Sequence, residues 1–280
     1  MARHGTFRLA KVVGATAIAL GWLFTTQKLD EEYVQRGKFS GYINTKKYRD
    51  AGLSRPADYE CFLKYKNTTF PQKSEMRLRL PMGPPPLGAG VGGILGWSYG
   101  DYHGNALMDP LTAVRVDAIG TFRSRFKWEL SGSTNGNLLH EFYLTGTAND
   151  HNTQYAEIGL FAHAPATTRA YHAAGTLVGT WTDGSGRAWV CRRQPVTLDG
   201  GYNGWYYMFM PTGDVFSADL DLANLLTWLR ANVGTVNAID EGAAMATKYI
   251  NGMVFGWEPI TDAGTNRVRL TSWTPQLLAA

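Results

Sequence analysis

Between residues 155 and 163 the chain alternates without a break. Tyr155, Glu157, Gly159, Phe161 and His163 fall on one side of an extended strand, and Ala156, Ile158, Leu160 and Ala162 on the other. The second side is wholly apolar and belongs in a core. The first carries an acid between an aromatic ring and a glycine. Residues 249–260 repeat the arrangement, with Val254, Gly256 and Glu258 on one side and Met253, Phe255 and Trp257 on the other. A third such strand, 138–144, puts Glu141 and Tyr143 on one side, and a polar loop over 146–154 returns the chain as a hairpin.

The same reading extends along the chain. Residues 59–70 alternate Cys61, Leu63 and Tyr65 against Glu60, Phe62 and Lys64, as a first strand. Residues 80–93 are rich in proline and glycine and form a loop. Residues 94–102 bring Trp97, Tyr99 and Tyr102 together, and 113–131 alternate around Phe126 and Trp128. Residues 175–193 read as a hairpin about Asp183-Gly184-Ser185-Gly186, and 204–210 as another apolar strand. One helix stands out, over 217–234. Ser217 is its expected N-cap, Gly234 its end, and Leu222, Leu225, Leu226 and Leu229 its apolar stripe. Residues 235–248 read as loop or irregular helix before strands over 249–260 and 266–273. The pattern predicts an all-β fold of two antiparallel sheets with one helix packed on the outside.

Composition supports this. Of 280 residues, 32 are Gly and 23 are Trp or Tyr, and only 18% are charged, which suits a turn-rich β protein better than a helical one. Surplus aromatic side chains also suit sugar binding, and they suit large sandwich cores equally. The net charge of +4 is spread without a basic stretch interleaved with aromatics, so nucleic acid is excluded as a partner. No His or Cys spacing calls for a metal, and no cofactor is implied. Cys61 and Cys191 can be one disulfide or two separate buried thiols.

The N-terminus reads differently. A basic start over 1–11 precedes thirteen mostly apolar residues, 12–24, too short for a confident membrane span but matching a signal-peptide core. Residues 1–27 are therefore read as a signal or anchor segment, 28–56 as a polar linker, and 57–280 as one sandwich domain. A secreted or cell-surface location follows, with any membrane contact confined to that anchor.

Acids in mid-strand on a side that is not core have two readings. They are solvated residues of an outer sheet face, or they line a cleft. Two carboxyl groups flanking a glycosidic bond are what its hydrolysis needs, one to attack or stabilise the anomeric carbon and one to protonate the leaving oxygen. The set resembles glycoside hydrolase family 12. Glu157-Ile158-Gly159-Leu160-Phe161 is similar to that family's Glu-x-Met-x-Trp nucleophile strand. Tyr249-Ile250 with Gly256-Trp257-Glu258-Pro259 is similar to its acid/base strand, and Glu141 after His140 stands where the family has an acid before the nucleophile. Gly159, Phe161 and Glu141 depart from the family's Met, Trp and Asp. The resemblance covers 138–273 and implies a concanavalin-like β-sandwich (jelly roll) acting on β-glucan polysaccharide. It further implies Glu157 as nucleophile, Glu258 as acid/base and Glu141 as the acid that orients the nucleophile. Trp97, Tyr99, Tyr155, Phe161 and His140 are the candidate sugar-binding residues, and a monomer is expected. The alternatives are a non-catalytic carbohydrate-binding sandwich and a structural or assembly module.

Overall fold

The computed structural model describes residues 25–28, 34–43, 60–66, 68–80, 95–100, 112–132, 134–198, 203–236, 238–260 and 264–280. Residues 1–24, most of the expected linker, the proline-rich loop over 81–93 and Tyr102 lie outside them.

The first strands are β1 (Thr25–Lys28), β2 (Val34–Arg36), β3 (Phe39–Ile43), β4 (Glu60–Tyr65), β5 (Ser74–Leu80), β6 (Leu95–Gly100) and β7 (Val114–Arg115). The long strands β8 (Ile119–Gly132), β9 (Gly136–Thr145) and β10 (Gln154–His163) lead into helix α1 (Ala166–Ala174). Then come β11 (Thr176–Thr182), β12 (Ala188–Thr197), β13 (Asn203–Met210), β14 (Ser217–Asp221) and helix α2 (Leu222–Asn232). The chain closes with β15 (Thr235–Val236), β16 (Ile239–Asp240), helix α3 (Glu241–Ala246), β17 (Tyr249–Ile250), β18 (Gly252–Pro259) and β19 (Gly264–Ala279).

Two sheets make a jelly-roll β-sandwich. The smaller has the order β1-β4-β5-β19-β8-β14. The larger runs β11-β12-β13-β10-β9-β18-β6-β3-β2, with β7 and β17 attached at one end of β9. Almost every neighbouring pair is antiparallel. The exception is β10 beside β13, which run parallel. Such a pair cannot be joined by a tight turn, and α1 with the β11–β12 hairpin makes the connection.

The alternation read from sequence builds the core. Phe122, Phe126 and Trp273 of the smaller sheet meet Phe142, His140 and Phe255 of the larger, with Phe122–Phe142 and Phe126–Phe255 ring centroids 4.9 Å apart. The expected first strand holds, with Cys61, Leu63 and Tyr65 all buried. The hairpin turn at Asp183 forms as read. Its side chain accepts from the backbone N–H of Ser185 and Arg187 and from Trp189 Nε1, and Trp181 faces Trp189 across the strands. Both cysteines are free buried thiols.

Three findings differ from the sequence reading. Residues 217–221 are a strand, and the helix begins only at Leu222. Asp221 is its N-cap, accepting from Asn224 N–H, while Ser217–Asp221 pairs antiparallel with β8, with salt bridges of Asp219 to Arg123 and Arg125 across the pair. The leucine stripe is buried as expected, but it faces β8 and the inner face of β11 and β13, where Trp228 meets Phe209 and Trp181 bonds Asn224. The helix thus continues the layer of the smaller sheet. A further helix, α1, buries only Thr168 and His172 and so shows no apolar stripe to read, while α3 forms within the stretch read as loop or irregular helix. Part of the expected linker is β2 and β3, which extend the larger sheet through β6; Phe39 packs on Tyr99 and Trp273.

Candidate active site

The site lies on the face of the larger sheet turned away from the core. Here β18, β9, β10 and β13 run side by side. Register decides which side chains share this face: Gly159 lies opposite Glu141, which lies opposite Val254 on its other side, and Glu157 lies opposite Tyr143. One level along, Phe161, Leu139 and Gly256 align, and Glu258 lies opposite Asn137. On the other flank, Glu157 is paired in parallel register with Tyr206 and Gly159 with Met208. Phe161, Leu139, Met208, Met210 and Ala164 form a second apolar cluster with Tyr206 packed on it, separate from the main core. The result is a strip with an apolar floor and three carboxylates along it.

The three acids are embedded to different degrees. Glu141 is only 4% exposed, whereas Glu157 and Glu258 are half-buried. Asn137 donates from Nδ2 to Glu258 Oε2 at 2.8 Å and so fixes that carboxyl. Beside Glu157, in parallel register, stands Tyr206. Burial pushes its pKa well above the ordinary tyrosine value, and the charges of Glu141, Glu157 and Glu258 push it further. One hydroxyl therefore lies within the field of all three. The partners of Glu157 and Glu258 on β9, Tyr143 and Asn137, are six positions apart. On a flat sheet that is ~20 Å along the strand at ~3.4 Å per residue.

Of the residues expected to bind sugar, Phe161 lies on this face, in the apolar floor. The others do not. Trp97 and His140 both pair with Phe255, on the side facing the core, and both are fully buried. Tyr99 pairs with Met253 on that same side and packs on Phe39. Buried between two sheets, these rings cannot stack on a sugar. His140 is a core residue that joins the sheets: its Nε2 bonds Ser124 Oγ at 2.8 Å, and Ser124 Oγ also accepts from Trp273 Nε1. Burial holds the His140 pKa down to about 3, so the ring is neutral.

Tyr155 is turned away for a different reason. The register of β9 and β10 shifts between Gln154 and Ala156, and the alternation breaks there. Tyr155 packs against the main core, donates to Glu241 Oε2 at 2.6 Å and carries Lys248 Nζ over its ring. A second shift between Phe161 and His163 does the same at the other end. His163 stacks on Trp257 and bonds Asp214 and the Thr134 carbonyl.

Three residues at this site escaped the sequence reading: Asn137, Tyr171 and Tyr206. Asn137 shares the parity of Glu141 and Tyr143 on β9, which is a usable signal. Tyr206 sits in an apolar run whose facing parity is invisible until its neighbour is known. Tyr171 stands on α1, 45% exposed; burial and then the Glu157 charge raise its phenol pKa. It is an exposed ring that feels the charge of the expected nucleophile. Among the described residues no group of His, Cys, Asp and Glu could hold a metal ion.

No family model matches the chain, and no curated protein matches it. Solved structures do. A family 12 xyloglucanase from Bacillus licheniformis matches with a TM-score of 0.67 at 16% identity, covering 91% of this chain and 100% of that one. Endoglucanase 3 of Trichoderma harzianum, from the same family, matches with a TM-score of 0.63 at 15% identity, covering 91% and 98%. The xyloglucanase domain of NopAA, a type three effector from Sinorhizobium fredii, matches with a TM-score of 0.57 at 11% identity, covering 91% and 99%. At these identities the likeness is one of fold, and in fold this chain resembles the family 12 glycoside hydrolases along nine tenths of its length.

Proposed function

We propose that this protein is a retaining endo-β-glucanase that cleaves internal β-1,4-type linkages by double displacement. The observation that carries the reading is the single strip on which Glu141, Glu157 and Glu258 all act on one phenol. Glu157 attacks the anomeric carbon while Glu258, oriented by Asn137, protonates the leaving oxygen. Water then enters, Glu258 takes its proton, and the glycosyl–Glu157 ester is hydrolysed with overall retention. Glu141, buried at the middle of the strip, orients Glu157. The exposed ring of Tyr171 offers apolar surface to pyranose faces. In this reading the working form is taken to be a monomer. Because polymeric glucan does not cross membranes, the enzyme acts outside the cell or at its surface, with the residues before β1 as the export or anchor segment.

The test is reducing-sugar release from soluble β-glucans, with product configuration followed by proton NMR. The expected result is a β-configured initial product, abolished turnover in Glu157→Gln and retained glucan binding. An inverted product, or near-normal turnover in Glu157→Gln, overturns the assignment. A second reading, a non-catalytic carbohydrate-binding sandwich, draws on the six-position offset between Glu157 and Glu258. Binding without any release of reducing ends in the wild-type protein would establish it instead.

A further inference from the structure

Tyr206 has a placement that nothing in the double-displacement scheme requires. It flanks Glu157 directly in the parallel β10–β13 pair. Its ring does not point outward from its own position. A Cβ built on Gly159 would stand 2.5 Å from Tyr206 Oη and 3.0 and 3.1 Å from two ring carbons, so the phenol lies flat over Gly159. Gly159 is directly opposite Glu141. The hydroxyl is thus carried from beside Glu157 into the gap facing Glu141, and Phe161 closes the ring's far side with centroids 6.3 Å apart. Among the described residues, the charges that act most on the phenol come from Glu141, Glu157 and Glu258, with Tyr143 after them. Ionising Tyr206 would add a further negative charge to this strip, so the hydroxyl stays protonated and is able to donate.

We propose that Tyr206 is a positioning residue for the carboxylates: its hydroxyl donates across Gly159 to the Glu141–Glu157 pair, holding both acids ionised and the nucleophile in place. Gly159 is the condition for this, since any side chain there would displace the phenol. The role of the donor follows from proximity of like charges. Two carboxylates sharing a site raise one another's pKa, and a hydrogen bond to the charged form opposes that rise. Without the donor the mutual repulsion of the two acids is unopposed, and the charged form of the pair is harder to hold.

This inference rests on the glucanase reading, and its test separates the two. Carboxyl-13C glutamate labelling of the full chain allows Glu141 and Glu157 to be titrated by NMR with no turnover required. In Tyr206→Phe the apparent pKa of at least one of them should rise by about one unit. In parallel, the acid limb of the kcat/KM profile on soluble β-glucan should move up by the same amount, with kcat lowered and KM little changed. Gly159→Ala should reproduce the shift, and should add nothing in a Tyr206→Ala background, where there is no ring to displace. Unchanged titration of both carboxyls in Tyr206→Phe would overturn the proposal even if the wild-type protein is an active glucanase. Absence of turnover in the wild-type protein would overturn the glucanase reading, and the titration would still decide for or against Tyr206.

Discussion

His140 makes the stability of this protein depend on acid in a calculable way. The ring is fully buried, bonded to Ser124 Oγ across the sandwich, and 6.1 Å from the rings of both Phe255 and Trp273. Its pKa is about 3 in the folded chain against an ordinary 6.5. Between these values the unfolded chain binds the proton and the folded chain does not. Stability therefore falls as pH falls below about 6.5, by up to about 1.4 kcal/mol per pH unit. From pH 7 to pH 5 the loss attributable to this one ring is about 2 kcal/mol. Burial also depresses His172, and that contribution has the same sign. The comparison must therefore be with His140→Gln, which keeps an amide donor for Ser124 and carries no titrating proton. Urea unfolding followed by tryptophan fluorescence at pH 7, 6 and 5 gives the two stability curves, since the midpoint tracks stability at constant m. The variant should be less stable at pH 7 by ~1–3 kcal/mol, through imperfect replacement of a buried polar group. Its curve should be flatter by about 2 kcal/mol over the two pH units. His172 cancels in the difference. Parallel curves would mean that His140 is charged or solvated in the folded chain, and the core assignment would fail.

Other perturbations probe the remaining parts. Leu226→Ala removes a buried member of the α2 stripe and should lower stability by ~2–5 kcal/mol, read as a denaturant midpoint. Trp97→Ala should cost ~3–5 kcal/mol while leaving glucan affinity per folded molecule unchanged, which calorimetry on the folded fraction would check. Tyr171→Ala should do the reverse, raising KM with little effect on the midpoint, because the ring is exposed and feels the charge of Glu157. Glu258→Ala should keep the first step for substrates with activated leaving groups, which need little protonation, and azide should restore turnover with retained configuration. An inverted azide product would exchange the roles assigned to Glu157 and Glu258.

Much of the fold was legible because alternation is a local signal. The strands carrying Glu141, Glu157 and Glu258, the Asp183 turn and the leucine stripe each announce themselves within a dozen residues. Which face of a strand meets the core is not local in the same way. Trp97, Tyr99 and His140 read equally well as cleft or core, and only their pairing with Met253 and Phe255 puts them inside. Tyr155 was misread for a sharper reason: a register shift interrupts the period of two at the end of β10, and no residue type marks it. Ser217–Asp221 resembled a helix start because Ser and Asp suit a cap. The pairing of Asp219 with two arginines 96 and 94 residues away overrides that local preference. The Tyr206–Gly159 contact needed a parallel pairing bridged by α1 and a whole hairpin, which no short window contains.

The position of β19 bears on how the molecule comes into being. This strand, residues 264–279, is not at an edge of the smaller sheet but between β5 and β8. Until it is present, β5 and β8 each expose a row of unpaired backbone donors and acceptors, the kind of border that recruits other chains. Trp273, which helps to seal the interior around His140 and Phe255, arrives with it. A nascent chain lacking this segment would hold the strip of acids on an assembled larger sheet with half its sandwich unclosed. Closure of the sandwich then belongs to a late event in biosynthesis, after release of these residues from the ribosome, and not to stepwise growth from the N-terminus.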